Sequence, residues 1–363
     1  MRGAPAARGA DCTDGKPQHG TARARFSPFA AWGSVICLKP TLYRFPPAYS
    51  PASLSRTRDM CQLFGMNCAE PTDVTFSFTG FAARGGLTDH HADGWGIAFF
   101  EDKACRLFID QQSSATSPIA EMVKRYPIKS KNTIAHIRKA TQGHILLENC
   151  HPFMRELWGR HWIFAHNGDL HDYTPDLDGS VYQPVGTTDS EKAFCKLMQG
   201  LREAFPSAQP PLPELFEQVG ELTRDITRHG VFNFLMSNGQ ALFAHCSTRL
   251  HYLVRRWPFS TAHLIDEDIS IDFAKYTTPE DRVAVIATQP LTDDEVWTAL
   301  EPGELVMFQC GDVAATMRIP VPEAVLEKLR NPALDASASA PRRAAALAAS
   351  GEAGDLGDDP VDF

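Results

Sequence analysis

Cys61 follows Met60 and precedes a short apolar run, Gln62 to Met66. A chain that starts at Met60 exposes this cysteine, because a methionine before a small residue is normally removed. An N-terminal cysteine combines a nucleophile and a base, since its α-amino group has an unperturbed pKa of about 8 and can take the thiol proton at neutral pH. Viewed alone, Cys61 is more often a buried cysteine in a β-strand.

Three later segments carry groups that could serve such a nucleophile. Arg138 ends a predicted strand and could hold a carboxylate by two parallel hydrogen bonds. Asn167 and Gly168 end another strand, and their side-chain amide and backbone N–H form a donor pair for an oxyanion. Asp189 begins a helix and could bind an ammonium group. Each also has a structural alternative: a surface salt bridge for Arg138, a turn for Asn167-Gly168 and a helix cap for Asp189.

Short β-rich runs alternate with amphipathic helical runs through the middle of the chain. Strands are predicted over residues 94–100, 133–138, 161–166, 231–236 and 282–288. Helices are predicted over about 74–84, from Asp189 onward with Thr187 or Thr188 as the cap, and over about 212–228. This mixture indicates layered sheets covered by helices.

Charge and cysteine content exclude several classes of protein. The net charge is −9, and it is −15 once the basic residues 1–60 are set aside. An acidic body of this kind argues against a nucleic-acid or anionic-membrane partner. Nine cysteines without a CxxC pair favour neither a zinc knuckle nor a disulfide framework, and they indicate a reducing cytoplasm.

Eight histidines lie between residues 90 and 171, which raises the alternative of a zinc site. Such a site would need two or three of them to converge with one open position. Their spacings follow no metal motif, so we predict neither a metal nor a cofactor.

Six segments, taken together and in this order, resemble the class II glutamine amidotransferase family: MCQLFGM, RGG followed by DGWGIAF, HIRKATQG, NCHPF, AHNGDL and TDSEKAF. The resemblance runs from Met60 to about Met317 and is to the short, free-standing bacterial members, which lack an attached synthase domain. It implies an α+β protein with a four-layer αββα sandwich, the Ntn-hydrolase fold. It also implies hydrolysis of the side-chain amide of L-glutamine.

The resemblance assigns the chemical roles to individual residues. Cys61 looks like the nucleophile, and Asn167 with the Gly168 N–H looks like the oxyanion hole. Arg138 would hold the α-carboxylate of glutamine, and Asp189 would receive its α-amino group.

Four further residues resemble the family's substrate-binding positions. Thr141 lies in the loop after the arginine that touches the substrate. Arg84, with Asp93 and Gly94, resembles the RG and DG elements that shape the floor of the site. Residues 87–92 separate these elements here, whereas many relatives have one contiguous RGxD.

The predicted domain boundaries follow from changes in composition and periodicity along the chain. Residues 1–59 and 331–363 are biased in composition and lack periodicity, so we predict a disordered leader and a disordered tail around a domain at 60–330. A retained leader would turn the amine of Cys61 into an amide. We therefore expect either a propeptide or, as the favoured alternative, a true start at Met60.

Three functions stay open at this point. The first is a glutamine amidotransferase that passes ammonia to a separate acceptor protein, since the sequence has no P-loop and no dinucleotide fingerprint. The second is a hydrolase of a larger γ-glutamyl amide, which would use the same clamp for the glutamyl group. The third is a non-catalytic glutamine-binding or regulatory protein that keeps its leader.

Overall fold

The structure is a computed structural model that describes residues 61–89, 93–139 and 145–330. The predicted leader and tail lie outside these ranges, as does Thr141. None of the described helices is long and apolar enough to cross a membrane.

Fifteen strands and five α-helices are present in the described part of the chain. They follow in the order β1 (Gln62–Asp73), α1 (Thr75–Ala83), β2 (Trp95–Glu101), β3 (Ala104–Asp110), α2 (Pro118–Arg125), β4 (Lys129–Ile137), β5 (Phe153–Leu157), β6 (Arg160–Leu170), α3 (Asp189–Ala204), α4 (Leu212–Thr227), β7 (Gly230–Ser237), β8 (Leu242–Cys246), β9 (His251–Arg256), β10 (Thr261–His263), β11 (Ser270–Asp272), β12 (Arg282–Ala287), β13 (Thr298–Ala299), β14 (Glu304–Gln309), β15 (Asp312–Arg318) and α5 (Glu323–Arg330).

The three helices and five strands predicted from the sequence are confirmed, with one informative difference at β6. This strand continues past His166 to Leu170, so Asn167 and Gly168 lie inside it rather than at its end. The extension is stabilised by β7, whose residues Val231 and Gly230 pair with Asp169 and Leu170.

The strands form two large antiparallel sheets and one small hairpin. The first sheet has the order β13-β9-β12-β1-β4-β2-β3, the second has the order β15-β14-β8-β7-β6-β5, and β10 pairs with β11. Strand β1 shows how the sequence divides its two faces. Phe64, Met66 and Cys68 join one apolar cluster, while Leu63 joins another, because successive side chains of a strand point to opposite faces.

Three apolar clusters fill the interior. One joins α1 and α2 to the first sheet, and a second joins α3 and α4 to the second sheet. The third contains Leu63 and Ile134 from the first sheet together with Ile163 and Leu235 from the second. Helices therefore cover one face of each sheet, and the two sheets share an apolar cluster on their other faces.

Candidate active site

Cys61 immediately precedes β1 and lies beside the end of β4. Its Sγ atom is 3.1 Å from the backbone N of Lys139 and 3.2 Å from the Lys139 carbonyl oxygen. The register explains this placement. Gln62 of β1 pairs with Ile137 of β4 in antiparallel fashion, so Cys61, just before β1, lies opposite residues 138–139, just after β4. The backbone N–H of Lys139 can donate to the sulfur, and the thiol can donate to the carbonyl.

The surroundings of Cys61 act on its thiol in opposite directions. Burial raises the pKa of this thiol, and the Lys139 backbone N–H and the positive charge of Arg138 oppose that rise. Because the balance is upward, the thiol keeps its proton at neutral pH. A base must therefore take that proton before the sulfur can attack.

Arg138 and the Asp93-Gly94 pair are held together by their backbones. The N–H of Arg138 donates to Gly94 O at 2.8 Å, and the N–H of Asp93 donates to Arg138 O at 3.2 Å. Gly94 has φ +107°, and a Cβ atom there would lie 2.5 Å from Cys150 Sγ. Only glycine fits this position. The two backbone hydrogen bonds hold Asp93 next to Arg138, which is buried.

Asn167 reaches Cys61 from the other sheet, since its side-chain Nδ2 donates to the Cys61 carbonyl oxygen. The Asn167 carbonyl in turn accepts from Asn233 Nδ2 at 2.9 Å. Asn233 is fully buried, and its Oδ1 accepts the N–H groups of Ser247 and Thr248 at 2.9 Å each. The prediction from sequence missed Asn233, although a lone amide within the apolar run VFNFLM is a visible signal.

The backbone N–H of Gly168 points away from β7. Leu170 N donates to Asp189 Oδ2 at 2.8 Å, so the Leu170 N–H faces the edge of β6 opposite β7. N–H groups two residues apart in a strand point the same way, which places the Gly168 N–H on that edge as well. Strand β5 pairs only with residues 160–164 of β6, so its pairing stops short of Gly168.

Asp189 is the first residue of α3 and is buried. Thr188 caps the helix by accepting from Glu191 N at 3.3 Å, which leaves the Asp189 carboxylate to bind the Leu170 N–H. The structural alternative for Asp189, a helix cap, is therefore filled by Thr188. The carboxylate joins the start of α3 to the strand that carries Asn167 and Gly168.

The loop before α3 is held by two side chains, Glu191 and Asn149. They lie in the motifs TDSEKAF and NCHPF but were not predicted as site residues. Glu191 accepts from Val185 N at 3.0 Å and from Gly186 N at 2.7 Å, and it forms a buried ion pair with Arg155 at 2.6 Å. Asn149 Oδ1 accepts from Thr187 N at 2.9 Å. Together they fix the backbone that leads into Asp189.

Arg84 lies apart from the groups around Cys61 in its hydrogen bonding. Its Nε binds Asp266 at 2.7 Å, and its two terminal nitrogens bind the carbonyls of Gln289 and Pro290 at 3.0 and 2.5 Å. The contacts of Arg84 thus join the RGG loop to the segment after β12 and to the loop between β10 and β11. Its role as a substrate residue stays a prediction, as does that of Thr141, which lies outside the described residues.

Within residues 61–89, 93–139 and 145–330, no group of three or more His, Cys, Asp or Glu could hold a metal ion. Several of the clustered histidines lie in the core instead. His136 and His151 are both buried, with ring centroids 4.2 Å apart.

Cys61, Arg138 and Asn167 therefore meet at one end of the two sheets, with Asp189 bound to the same strand as Asn167. A family profile described as class II glutamine amidotransferases matches residues 60–332. The chain belongs to this family.

The individual relatives narrow this family further. A candidate glutamine amidotransferase of Haemophilus influenzae is 52% identical over 256 residues, which are 70% of this chain and 86% of the relative. YafJ of Escherichia coli K12, named as a candidate glutamine amidotransferase, is 51% identical over 70% of this chain and 99% of its own. The crystal structure of a predicted glutamine amidotransferase from Pseudomonas aeruginosa has a TM-score of 0.57 and 43% identity, covering 70% of this chain and all of that one. The chain is thus similar to free-standing bacterial members of the family.

Proposed function

We propose that this protein is a glutamine-hydrolysing amidotransferase with the four-layer αββα Ntn-hydrolase fold, and that its active form begins with Cys61. Membership of the family supports the reaction class. The observation that carries the proposal is the pair of contacts made by Cys61, whose Sγ lies 3.1 Å from Lys139 N and whose carbonyl accepts from Asn167. The second contact supports the assignment of Asn167 as an oxyanion donor beside this cysteine.

Arg138 and Asp189 bind the glutamyl group in this proposal. The guanidinium of Arg138 holds the α-carboxylate by two parallel hydrogen bonds, and Asp189 receives the α-ammonium. Both side chains are buried, which strengthens their attraction for a charged ligand. Two charged contacts at fixed positions orient the side-chain amide towards Cys61. Thr141, Arg84, Asp93 and Gly94 complete the predicted substrate-binding set.

The reaction then proceeds through a thioester. The α-amino group of Cys61 takes the thiol proton, directly or through water, and Sγ attacks Cδ of glutamine. Asn167 Nδ2 and the Gly168 N–H bind the developing oxyanion. The C–N bond breaks, and ammonia leaves with the proton that the amine had taken. Water hydrolyses the thioester to glutamate and regenerates the thiol.

The free amine is the reason for placing the N-terminus at Cys61. An amide nitrogen has no usable lone pair, and the thiol holds its proton because burial raises its pKa. The family match begins at residue 60, which agrees with a functional start beside Cys61. A reducing cytoplasm would keep this thiol active. The ammonia would pass to a separate acceptor protein.

Two measurements test the proposal. The first is the mass of the N-terminal peptide of the native protein, which should begin with Cys61. A mature chain that keeps Met60 or earlier residues would instead indicate a non-catalytic binding protein.

The second measurement is glutamate release from glutamine and from a panel of γ-glutamyl amides with larger amine or thiol leaving groups. Slow turnover of glutamine with fast turnover of a bulky amide would replace the amidotransferase assignment with a γ-glutamyl hydrolase.

A further inference from the structure

His166 and Ser190 form a chain of hydrogen bonds that ends at Asp189. His166 Nδ1 lies 2.8 Å from Ser190 Oγ, and Ser190 Oγ lies 3.4 Å from Asp189 Oδ1. The other ring nitrogen, Nε2, lies 3.0 Å from the carbonyl oxygen of Val231. All three side chains are buried, so each proton in the chain has few alternative positions.

The Val231 carbonyl decides which ring nitrogen carries the proton. A carbonyl oxygen only accepts, so Nε2 of His166 must be the donor in this contact. In the neutral ring Nδ1 is then an acceptor, and the single hydrogen of the Ser190 hydroxyl is directed towards it. This contact, at 2.8 Å, is shorter than the 3.4 Å contact in which the same hydroxyl could donate to Asp189 Oδ1, so the hydrogen is directed away from Asp189.

Gly168 leaves room for the contact between His166 Nε2 and the Val231 carbonyl. His166 and Gly168 lie on the same face of β6, and a Cβ atom at residue 168 would be 2.6 Å from His166 Nε2 and 1.9 Å from Val231 O. Any larger residue would therefore displace the ring or the carbonyl. The glycine of the predicted oxyanion hole thus also permits the contact with Val231 that fixes the tautomer of His166.

Protonation of the His166 ring reverses the direction of the hydrogen bonds from His166 through Ser190 to Asp189. Nδ1 becomes a donor to Ser190 Oγ, and the serine hydrogen turns to Asp189 Oδ1. Asp189 Oδ2 is already bound to the Leu170 N–H, so Oδ1 is the oxygen with capacity for an added donor. Both the hydroxyl hydrogen and the new positive charge then compete with an incoming ammonium group.

We propose that His166 and Ser190 are positioning residues for Asp189: the neutral ring keeps the Ser190 hydrogen away from Oδ1, and protonation turns it onto Oδ1 and weakens substrate binding. This inference rests on the proposed function, in which Asp189 receives the α-ammonium of the glutamyl substrate.

The groups around His166 set the direction of the effect. Burial lowers the pKa of His166, and the charges of Asp189 on α3 and Asp169 on β6 oppose that change. Two further histidines face it: His151, before β5, has a pKa well below its ordinary value, and burial lowers that of His245, on β8, to about 4. His166 is therefore neutral at neutral pH, and its protonation belongs to the acidic side of its ordinary value.

Substrate binding should in turn release a proton from this ring. An ammonium group on Asp189 neutralises a charge that favours protonated His166, so the bound state holds the ring neutral more strongly than the free state does. By linkage, the KM for glutamine rises as the pH falls below the pKa of His166 in the free enzyme.

The experiment measures kcat and KM for glutamine from about pH 5 to about pH 8, on protein whose N-terminal residue has been identified as Cys61. Wild type is compared with Ser190→Ala, which removes the hydroxyl, and with Ser190→Thr, which retains one. His161→Gln, a change in a histidine five residues earlier on the same strand, serves as the matched control. The melting temperature of each variant is recorded at every pH.

We expect the wild-type KM to rise by up to about tenfold per pH unit on the acidic side of the pKa of His166. Protonation of the Cys61 amine lowers kcat over the same range in wild type and in every variant alike, so KM is the constant that reports on His166. Ser190→Ala should flatten the rise in KM by at least about threefold, and Ser190→Thr should restore it. His161→Gln should follow wild type. A flat wild-type KM, or equal rises in wild type and Ser190→Ala, would overturn the inference. Absence of glutamate release from wild type at every pH would instead overturn the proposed function.

Discussion

The side-chain amide of Asn167 donates a hydrogen bond to the carbonyl oxygen of Cys61, the residue proposed as nucleophile. The contact joins β6 of the second sheet to the start of β1 in the first. The donor group is thereby held at the residue that carries the thiol before any substrate arrives. A donor that is fixed in advance costs little reorganisation when negative charge develops.

Replacement of Asn167 by alanine should lower kcat by about 10²- to 10³-fold, the cost of losing one oxyanion donor. KM for glutamine should change much less, because Arg138 and Asp189 still bind the glutamyl group. Steady-state glutamate release measures both constants. Gln209→Ala removes a half-buried side-chain amide that bonds to Gln240 and Asn238, and it serves as the control, with kcat expected to stay at the wild-type value. An equal loss in kcat for both variants would contradict the role of Asn167.

Replacement of Cys61 by alanine should abolish glutamate release and leave glutamine binding intact, because the substrate clamp is formed by other side chains. Turnover is followed by glutamate release and binding by calorimetry on the same preparation. Loss of binding together with turnover would mean that the site has been misplaced. Cys105→Ala, in a half-buried cysteine on β3, is the matched thiol control.

The sequence proposes the chemical groups of the site, because Cys61, Arg138, Asn167 and Asp189 lie in motifs that together resemble those of the family. The contacts around these residues could not be predicted from it. The buried Asn233 beside Asn167 and the ion pair between Arg155 and Glu191 join residues 66 and 36 positions apart. Local periodicity carries no information on such long-range partners.

The fold shows the same division. Long helices and buried strands are specified by local apolar spacing, as α3 and β7 show, and these were predicted. The predicted end of β6, at residue 166, was wrong. Asp169 and Leu170 are held in the strand by pairing with Val231 and Gly230. Pairing with a distant strand can override the local preference of the residues at a strand end.

Replacement of Gly168 by alanine should destabilise the protein by about 1–3 kcal/mol, the usual cost of overpacking. The added Cβ would lie 1.9 Å from Val231 O, and this atom is part of the β6–β7 pairing and cannot move without it. Urea denaturation measures the free energy of unfolding. Gly179→Ala is the control, since its Cβ would meet only the flexible end of Gln183 at 3.0 Å. Equal stability of the two variants would contradict the packing argument.

Replacement of Glu191 by alanine should destabilise the protein by about 3–5 kcal/mol, because Arg155 would keep a buried charge without its partner. The side chains of Arg155 and Glu191 are only 17% and 2% exposed in this 2.6 Å ion pair. The loss should also loosen the backbone of Val185 and Gly186, which donate to Glu191. Denaturant titration gives the first effect, and amide hydrogen exchange at residues 185 and 186 gives the second.

A matched change at a surface ion pair separates burial from charge. Glu101 and Arg106 are 2.7 Å apart, but their side chains are 72% and 52% exposed. Glu101→Ala should leave the denaturation midpoint unchanged, because solvent screens both groups. A midpoint shift as large as that of Glu191→Ala would refute the importance of burial.

His245 should make the protein sensitive to acid. Burial lowers its pKa in the folded state to about 4, whereas an unfolded histidine has a pKa of about 6.5. Between these values the unfolded chain binds a proton that the folded chain does not, so stability falls as the pH decreases from about 6.5 to about 4. The full loss is about 3 kcal/mol for this residue. Burial also lowers the pKa values of His151 and His166, which add to the loss in the same direction.

The variant His245→Gln isolates this contribution. Glutamine does not titrate and can still donate to the Phe232 carbonyl, which His245 Nδ1 contacts at 2.6 Å. Urea denaturation at a series of pH values should show a shallower acid loss for the variant, with curves that converge with wild type in the acid range. Curves that stay parallel from neutral pH to about pH 4 would show that His245 takes up its proton equally in both states, contrary to its burial among Phe232 and Phe234.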